Sequence, residues 1–413
     1  MNRIRNKGVP AAAAALSLGL LLTGCADGGK GAGKGENDKK PTSASKPHGY
    51  VAGAEEAAEQ QSRLVLGDAG SGAVTVLDLI DEETTSLGRM DKRAELVTDG
   101  RFAYANSGSG SRVFDSGAWM VDHGDHVHYY LAKTRRVGAV DGAAVAHVYS
   151  SPSLTAFTFS GGTARLVDHA QMEKGRLKPV ATLEDAQRGP VVPLEGDVLV
   201  PVAGPSGDTV VEVRDRKGVK RTVLDEKCPE LGPAAVTRSG VVFGCADGAL
   251  FVTERKGKPR AEKIPFDQKV AENERPEAFH HRSLGSTLTA KAGEKGVWVL
   301  NVAKRDWKLI ETGPVVAVNS AGEGTPLLTL DASGTLTAYE TADGEKIASK
   351  DILSGAPRAK DANRSVIEVD ASRAYVNDVA AKKVYEIDYN DGLRKARSFS
   401  VDISPSSMVE TGR

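Results

Sequence analysis

A short strand–turn–strand unit recurs from about residue 62 to the end of the chain, and this repetition constrains the fold more than any other feature. Copies occupy residues 235–252, 96–105, 327–339 and 366–377. Each joins runs rich in Val, Leu, Phe, Tyr and Thr through a small polar turn such as Asp99-Gly100, Ser239-Gly240, Asp247-Gly248 or Ser333-Gly334. The period is roughly 35 to 50 residues, the size of a four-stranded propeller blade. About 350 residues supply seven or eight such blades. A propeller closes into a ring and leaves no long sheet edge open. A pair of β-sandwiches is the competing arrangement, but it does not call for one pattern sustained along the whole chain. The expectation is an all-β chain with a single β-propeller of seven or eight four-stranded blades over residues 62–413.

The N-terminal residues read differently. Arg3, Arg5 and Lys7 precede an apolar stretch over residues 11–22, too short for a membrane span and suited to an export signal. It ends in Leu22-Thr23-Gly24-Cys25, which resembles a bacterial lipobox. In signals of that kind the cysteine is lipidated and becomes the mature N-terminus. Residues 1–24 are therefore expected to be a lipoprotein signal peptide. Cys25 would then hold the protein by its lipid at the outer face of the cytoplasmic membrane, with no spanning helix. Residues 25–61 are rich in Gly, Lys, Asp, Ser and Pro and too poor in apolar surface to order themselves, which predicts a flexible tether. A short helical turn at residues 54–61 is its only expected structure. The other two cysteines, Cys228 and Cys245, lie deep in the chain. Export exposes them to an oxidising compartment, so a disulfide is expected in preference to two buried thiols.

Composition narrows the function. The net charge is −1 and aromatic residues make up 5%. Neither a basic stripe for nucleic acid nor an aromatic platform for bases or sugars is present. The chain holds 8 histidines, and three fall within six positions, in Asp122-His123-Gly124-Asp125-His126-Val127-His128-Tyr129-Tyr130. Neutral imidazoles and carboxylates are the usual ligands of a borderline cation such as Zn²⁺, although Cu²⁺ also binds imidazoles tightly. His126 and His128, two apart, would share a face of a strand, with His123 joining from the turn at Gly124. The bland alternative is an exposed polar turn.

Alignment of the repeats extends the pattern. Residues 119–123 match residues 165–169, so that His123 and His169 would both close a third strand. His147 and His280 fall on innermost strands, which border the central channel, and His281 adjoins His280. A third strand lies away from the channel. The cluster would then form either a channel-mouth site shared by several blades or a peripheral site between two neighbouring blades. Carboxylates for orienting the rings are present in Asp122, Asp125 and Asp168.

The exported propeller with this histidine stretch in an early blade resembles the AztD-type zinc metallochaperones. That family looks after zinc outside the cytoplasmic membrane and passes it to the solute-binding protein of a zinc ABC importer. The resemblance spans most of the chain after the tether, and its one sharp motif is residues 122–130. It implies Zn²⁺ as the bound metal and His123, His126 and His128 as the principal ligand residues. His147 and His169 are further candidates, with His280, His281 and Asp125 behind them. Family members can carry a His-rich N-terminal segment. Here the tether holds only His48, so a second, tether-borne site is not expected.

The expected function is thus that of an extracytoplasmic zinc metallochaperone, monomeric and binding no nucleic acid, that stores zinc and delivers it. Its protein partner would be the importer's solute-binding protein, and only the N-terminal lipid would touch the membrane. The alternative is a metal-free surface propeller that acts as an interaction scaffold. An enzyme is not expected. There is no His-Glu-x-x-His helix, no Gly-x-Ser-x-Gly elbow and no phosphate-binding glycine loop, and Gly161-Gly162-Thr163 reads as a hairpin turn.

Overall fold

A computed structural model describes residues 53–413 apart from residue 124, residues 187–188 and residues 355–363. The expected signal peptide, Cys25, His48 and most of the expected tether lie outside the described residues.

The repeats build eight blades, each an antiparallel meander that runs from the centre outward. Blade 2 comprises Glu95–Thr98, Phe102–Ser107, Gly110–Asp115 and Arg135–Asp141. Blade 3 comprises Val145–Ser150, Leu154–Phe159, Ala164–Asp168 and Pro179–Leu183. Blades 4, 5, 7 and 8 follow the same order and begin at Val192–Leu194, Ala234–Thr237, Ala317–Ser320 and Ile367–Val369. Blade 6 has three full strands, Thr287–Lys291, Val297–Asn301 and Asp306–Ile310. Its innermost position is held by His280, which exchanges backbone hydrogen bonds with Thr289 at 2.8 and 2.9 Å. Blade 1 takes Arg63–Gly67, Ala73–Asp78 and Thr84–Arg89 from the start of the propeller and its innermost strand, Ser407–Thr411, from the end. Successive blades touch all the way round, and blade 8 meets blade 1.

Burial within a blade follows distance from solvent. Leu154–Phe159 and Gly240–Cys245 are buried at every position, because neighbouring blades cover both faces of a second strand. Outermost strands such as Lys220–Val223 and Lys346–Asp351 are mostly exposed and charged. The turns carry the expected chemistry. Asp99 Oδ1 accepts from the amides of Arg101 and Phe102, and Asp370 Oδ1 accepts from those of Ser372 and Arg373. Gly240 stands at φ +147, and a Cβ there would collide with the carbonyl oxygen of Val252. Of the four sequence repeats, three begin at the innermost strand of a blade, and residues 235–252 run on into the third strand of blade 5. Residues 327–339 instead cover the second and third strands of blade 7, because one turn pattern serves both kinds of hairpin.

Cys228 and Cys245 form a disulfide, with Cα atoms 5.1 Å apart. It ties the segment that enters blade 5 to the end of that blade's second strand. Where blades 8 and 1 meet, Arg413 pairs with Glu410 at 2.8 Å and with Glu368 at 3.1 Å. Burial pushes the Glu410 carboxyl up to about 7 and raises that of Glu368, because two acids share one guanidinium out of water.

Two outcomes test this account. The Cys228→Ala/Cys245→Ala variant is expected to unfold at lower denaturant, with a loss of about 3 kcal/mol for a loop of this length. A raised carboxyl pKa means that folding takes up a proton, so its contribution is full below about pH 4.5 and lost as pH rises through about 7. Glu410→Gln should therefore gain stability relative to the parent between pH 5 and pH 8, on the order of 1–3 kcal/mol, read from denaturation midpoints. An unchanged difference across that range would remove Glu410 from the account.

Candidate metal centre

Between the third and fourth strands of blade 2 the chain leaves the blade. It forms a hairpin of Ala118–Asp122 and Val127–Leu131. The hairpin does not join the blade's sheet. It forms a separate three-stranded sheet with Glu55–Ala57, paired to Val127–Leu131. Two expectations are corrected here. Residues 54–61 contain a strand rather than a helical turn. Residues 119–123 are not the counterpart of residues 165–169, for only Ala164–Asp168 is a third strand of a blade.

Aromatic packing fixes the base of the hairpin. Trp119 and Tyr130 are cross-strand partners, stacked with centroids 5.4 Å apart. Ala54 packs against both. The Arg101 guanidinium lies 3.7 Å from the Trp119 ring centroid and is held by Asp115 and Glu173. The far end reaches blade 5, three places round the ring, where Asp122 Oδ2 meets the Arg238 guanidinium at 2.5 Å. Residues 119–122 thereby help to wall the central cavity, whose volume is about 1510 Å³.

The tip brings His123, His126 and His128 together. Their ligand nitrogens all lie within 4.8 Å of one another, and among the described residues no other group of three or more His, Cys, Asp or Glu has this spacing. Ring centroids are 4.8 Å apart for His123 and His126, 4.9 Å for His126 and His128, and 5.2 Å for His123 and His128. The turn is closed by the His123 amide, which donates to the His126 carbonyl at 3.0 Å. Around a tetrahedral ion with bonds of about 2.0–2.1 Å, ligand nitrogens stand roughly 3.4 Å apart, so small side-chain rotations suffice to close the set.

Carboxylates address the rings from behind. Asp125 Oδ1 lies 2.8 Å from His126 Nδ1, and Glu56 Oε1 lies 2.6 Å from His128 Nδ1. A neutral ring that donates from Nδ1 presents Nε2 as its ligand atom, the arrangement common at histidine-bound metals. The hydrogen bond from His126 holds the Asp125 carboxyl below its usual range. His123 and His126 are exposed and His128 is half-buried. These residues can therefore hold a metal ion with three imidazoles, one tetrahedral position open, and solvent on one side.

The other described histidines lie apart from this group. His147, on the innermost strand of blade 3, and His280 and His281, at the innermost position of blade 6, line the central cavity. Burial lowers the pKa of His147 and brings those of His280 and His281 down to about 4. His169 opens a four-residue helix and packs edge-on against Phe102, with centroids 5.3 Å apart. Asp168 caps that helix and pairs with Arg216, so it does not orient a cluster ring. The cluster thus belongs to one hairpin rather than to several blades. The sequence reading missed Glu56 and Arg238. Glu56 sits in a stretch that reads as tether, and nothing local marks it. Arg238 belongs to an ordinary turn. The site leads to a direct expectation: His126→Ala and His128→Ala each lower Zn²⁺ affinity at least tenfold in a competition titration, because two imidazoles remain. Full affinity in both variants would rule the site out.

No protein-family model matches the chain, and no curated protein matches it. Its fold, however, is shared with solved structures. The crystal structure of AztD from Citrobacter koseri superposes with a TM-score of 0.70 at 19% identity, covering 86% of this chain and 98% of that one. The apo form of AztD from the same organism gives 0.71 with the same identity and coverage. The dihydro-heme d1 dehydrogenase NirN is more distant, with a TM-score of 0.51 at 13% identity and coverage of 85% and 75%. The chain therefore has an AztD-like β-propeller fold and carries a three-histidine group able to hold a metal on a hairpin inserted in its second blade.

Proposed function

We propose that the chain is a non-enzymatic, extracytoplasmic zinc carrier that delivers its ion to the solute-binding protein of a zinc ABC importer. The observation that carries this reading is the exposed three-imidazole group at the tip of a rigidly seated hairpin. A purely structural zinc site would be closed on all sides. Here the open side lets ligands of a second protein approach the ion before the first set lets go. Exchange can then pass through a shared coordination shell, without a free ion. Histidine ligands suit this task, since they bind zinc tightly yet compete with protons and incoming ligands. Asp125 and Glu56 keep two rings aimed while the site is empty, so little ordering is needed on loading. The AztD-like fold and the histidine stretch of residues 122–130 support the same reading.

The test follows zinc from the loaded protein to a metal-free solute-binding protein by the partner's tryptophan fluorescence or by separation and metal analysis. Transfer is expected to be faster than release to a small chelator at matched concentration. Equal rates would mean that the ion leaves by simple dissociation, which contradicts direct handover. Protein purified without chelator that contained no zinc and bound none would leave a metal-free interaction scaffold.

A further inference from the structure

The metal group is assembled from two segments far apart in sequence. Three imidazoles come from the hairpin, whereas Glu56 comes from the strand that precedes the first blade. We infer that Glu56 is a positioning residue of the metal centre, and that docking of Glu55–Ala57 on the hairpin and occupancy of the three-histidine group are thermodynamically coupled. The inference rests on the zinc reading given above.

Three observations carry it. First, Glu55–Ala57 pairs in register with the strand that bears His128: Glu55 with Leu131, Glu56 with Tyr130 and Ala57 with Tyr129. This register puts the Glu56 side chain on the face shared by Tyr130 and His128. Second, Glu56 Oε1 meets His128 Nδ1 at 2.6 Å. That contact selects the tautomer that leaves Nε2 for the ion and restrains ring rotation. Third, the strand's seat on the protein is small. It comprises three residues of pairing and the buried Ala54 against Trp119 and Tyr130. A seat this slight is readily shifted by a further contact of ordinary strength.

Coupling follows by reciprocity. If the docked strand tightens metal binding by some factor, bound metal must favour the docked strand by the same factor. Removal of a carboxylate behind a ligand histidine commonly costs 10–100-fold in metal affinity, which sets the size of the effect. The strand also lies directly after residues 1–52. A force or a partner that lifts Glu55–Ala57 from the hairpin would withdraw Glu56 and weaken the hold on His128, loosening the ion.

The experiment uses the full chain with Zn²⁺ as the probe. Zinc affinity is measured by chelator competition for the parent, Glu56→Gln, Glu56→Asp and Glu55→Gln. Hydrogen exchange is followed over residues 53–58 with and without zinc. Glu56→Gln is expected to lose 10–100-fold in affinity, and Glu56→Asp to recover part of that loss. Glu55→Gln, altered on the opposite face of the strand, should stay near the parent. Zinc is expected to slow exchange at residues 53–58 in the parent but not in Glu56→Gln. A parent that binds no zinc overturns the functional reading itself. A parent that binds zinc, with Glu56→Gln at equal affinity, overturns only the role of Glu56. Equal losses in Glu55→Gln and Glu56→Gln would show a general charge effect and refute positioning. Exchange unchanged by zinc would refute the coupling.

Discussion

Everything in this structure depends on the closure of the ring. Arg63–Gly67, near the start of the propeller, pairs along its length with Ser407–Thr411 near its end. Blade 1 exists only when both ends of the chain are present in it. Eight sheets that would each be marginal alone cover one another's faces, and their short innermost edges line the central cavity. The cost falls at the seam, where Glu368, Glu410 and Arg413 are buried together. This cluster adds buried charge to a seam at which Met408, Leu64 and Leu66 of blade 1 also pack in one apolar cluster with Tyr375, Val384 and Phe399 of blade 8, and desolvation offsets much of the attraction within it.

A rigid ring gives a departing loop something to stand on. The hairpin of Ala118–Asp122 and Val127–Leu131 is fastened at both ends to different blades, by Arg101 under Trp119 and by Arg238 on Asp122. These two fastenings hold the tip in place while His123 and His126 stay exposed to solvent. Metal sites of the structural kind sacrifice access for stability. This one keeps access and obtains its order from outside the coordination set, through the hairpin's seat and through the carboxylates of Asp125 and Glu56. Such a division suits the proposed carrier role, in which the ligands must be ready for the ion without enclosing it.

Much of the fold was legible along the chain, because a blade is a local object. Its strands follow one another, its turns need Asp, Ser or Gly at fixed offsets, and the period survives every variation in side chains. The disulfide was legible too, from the export context and the separation of Cys228 and Cys245. The hairpin deceived the repeat reading. Residues 119–123 end in Val-Asp-His as residues 167–169 do, and both stretches are strands, so local pattern could not reveal that one lies outside its blade.

The sequence alone therefore settled the class of fold and the three histidines, since both are written within short windows of the chain. Their closeness in space follows from a tight turn, which needs no distant help. The tertiary structure decided where that turn stands and what surrounds it. His147, His280 and His281 fall elsewhere because blade geometry sends innermost positions to the cavity wall, and His169 because the third strand of blade 3 ends against Phe102 and not at the hairpin tip. Glu56 and Arg238 reach the hairpin because the ring brings together residues with about 70 and more than 100 positions between them and it. Periodicity reports which residues face inward, but only closure of the ring determines which of them meet.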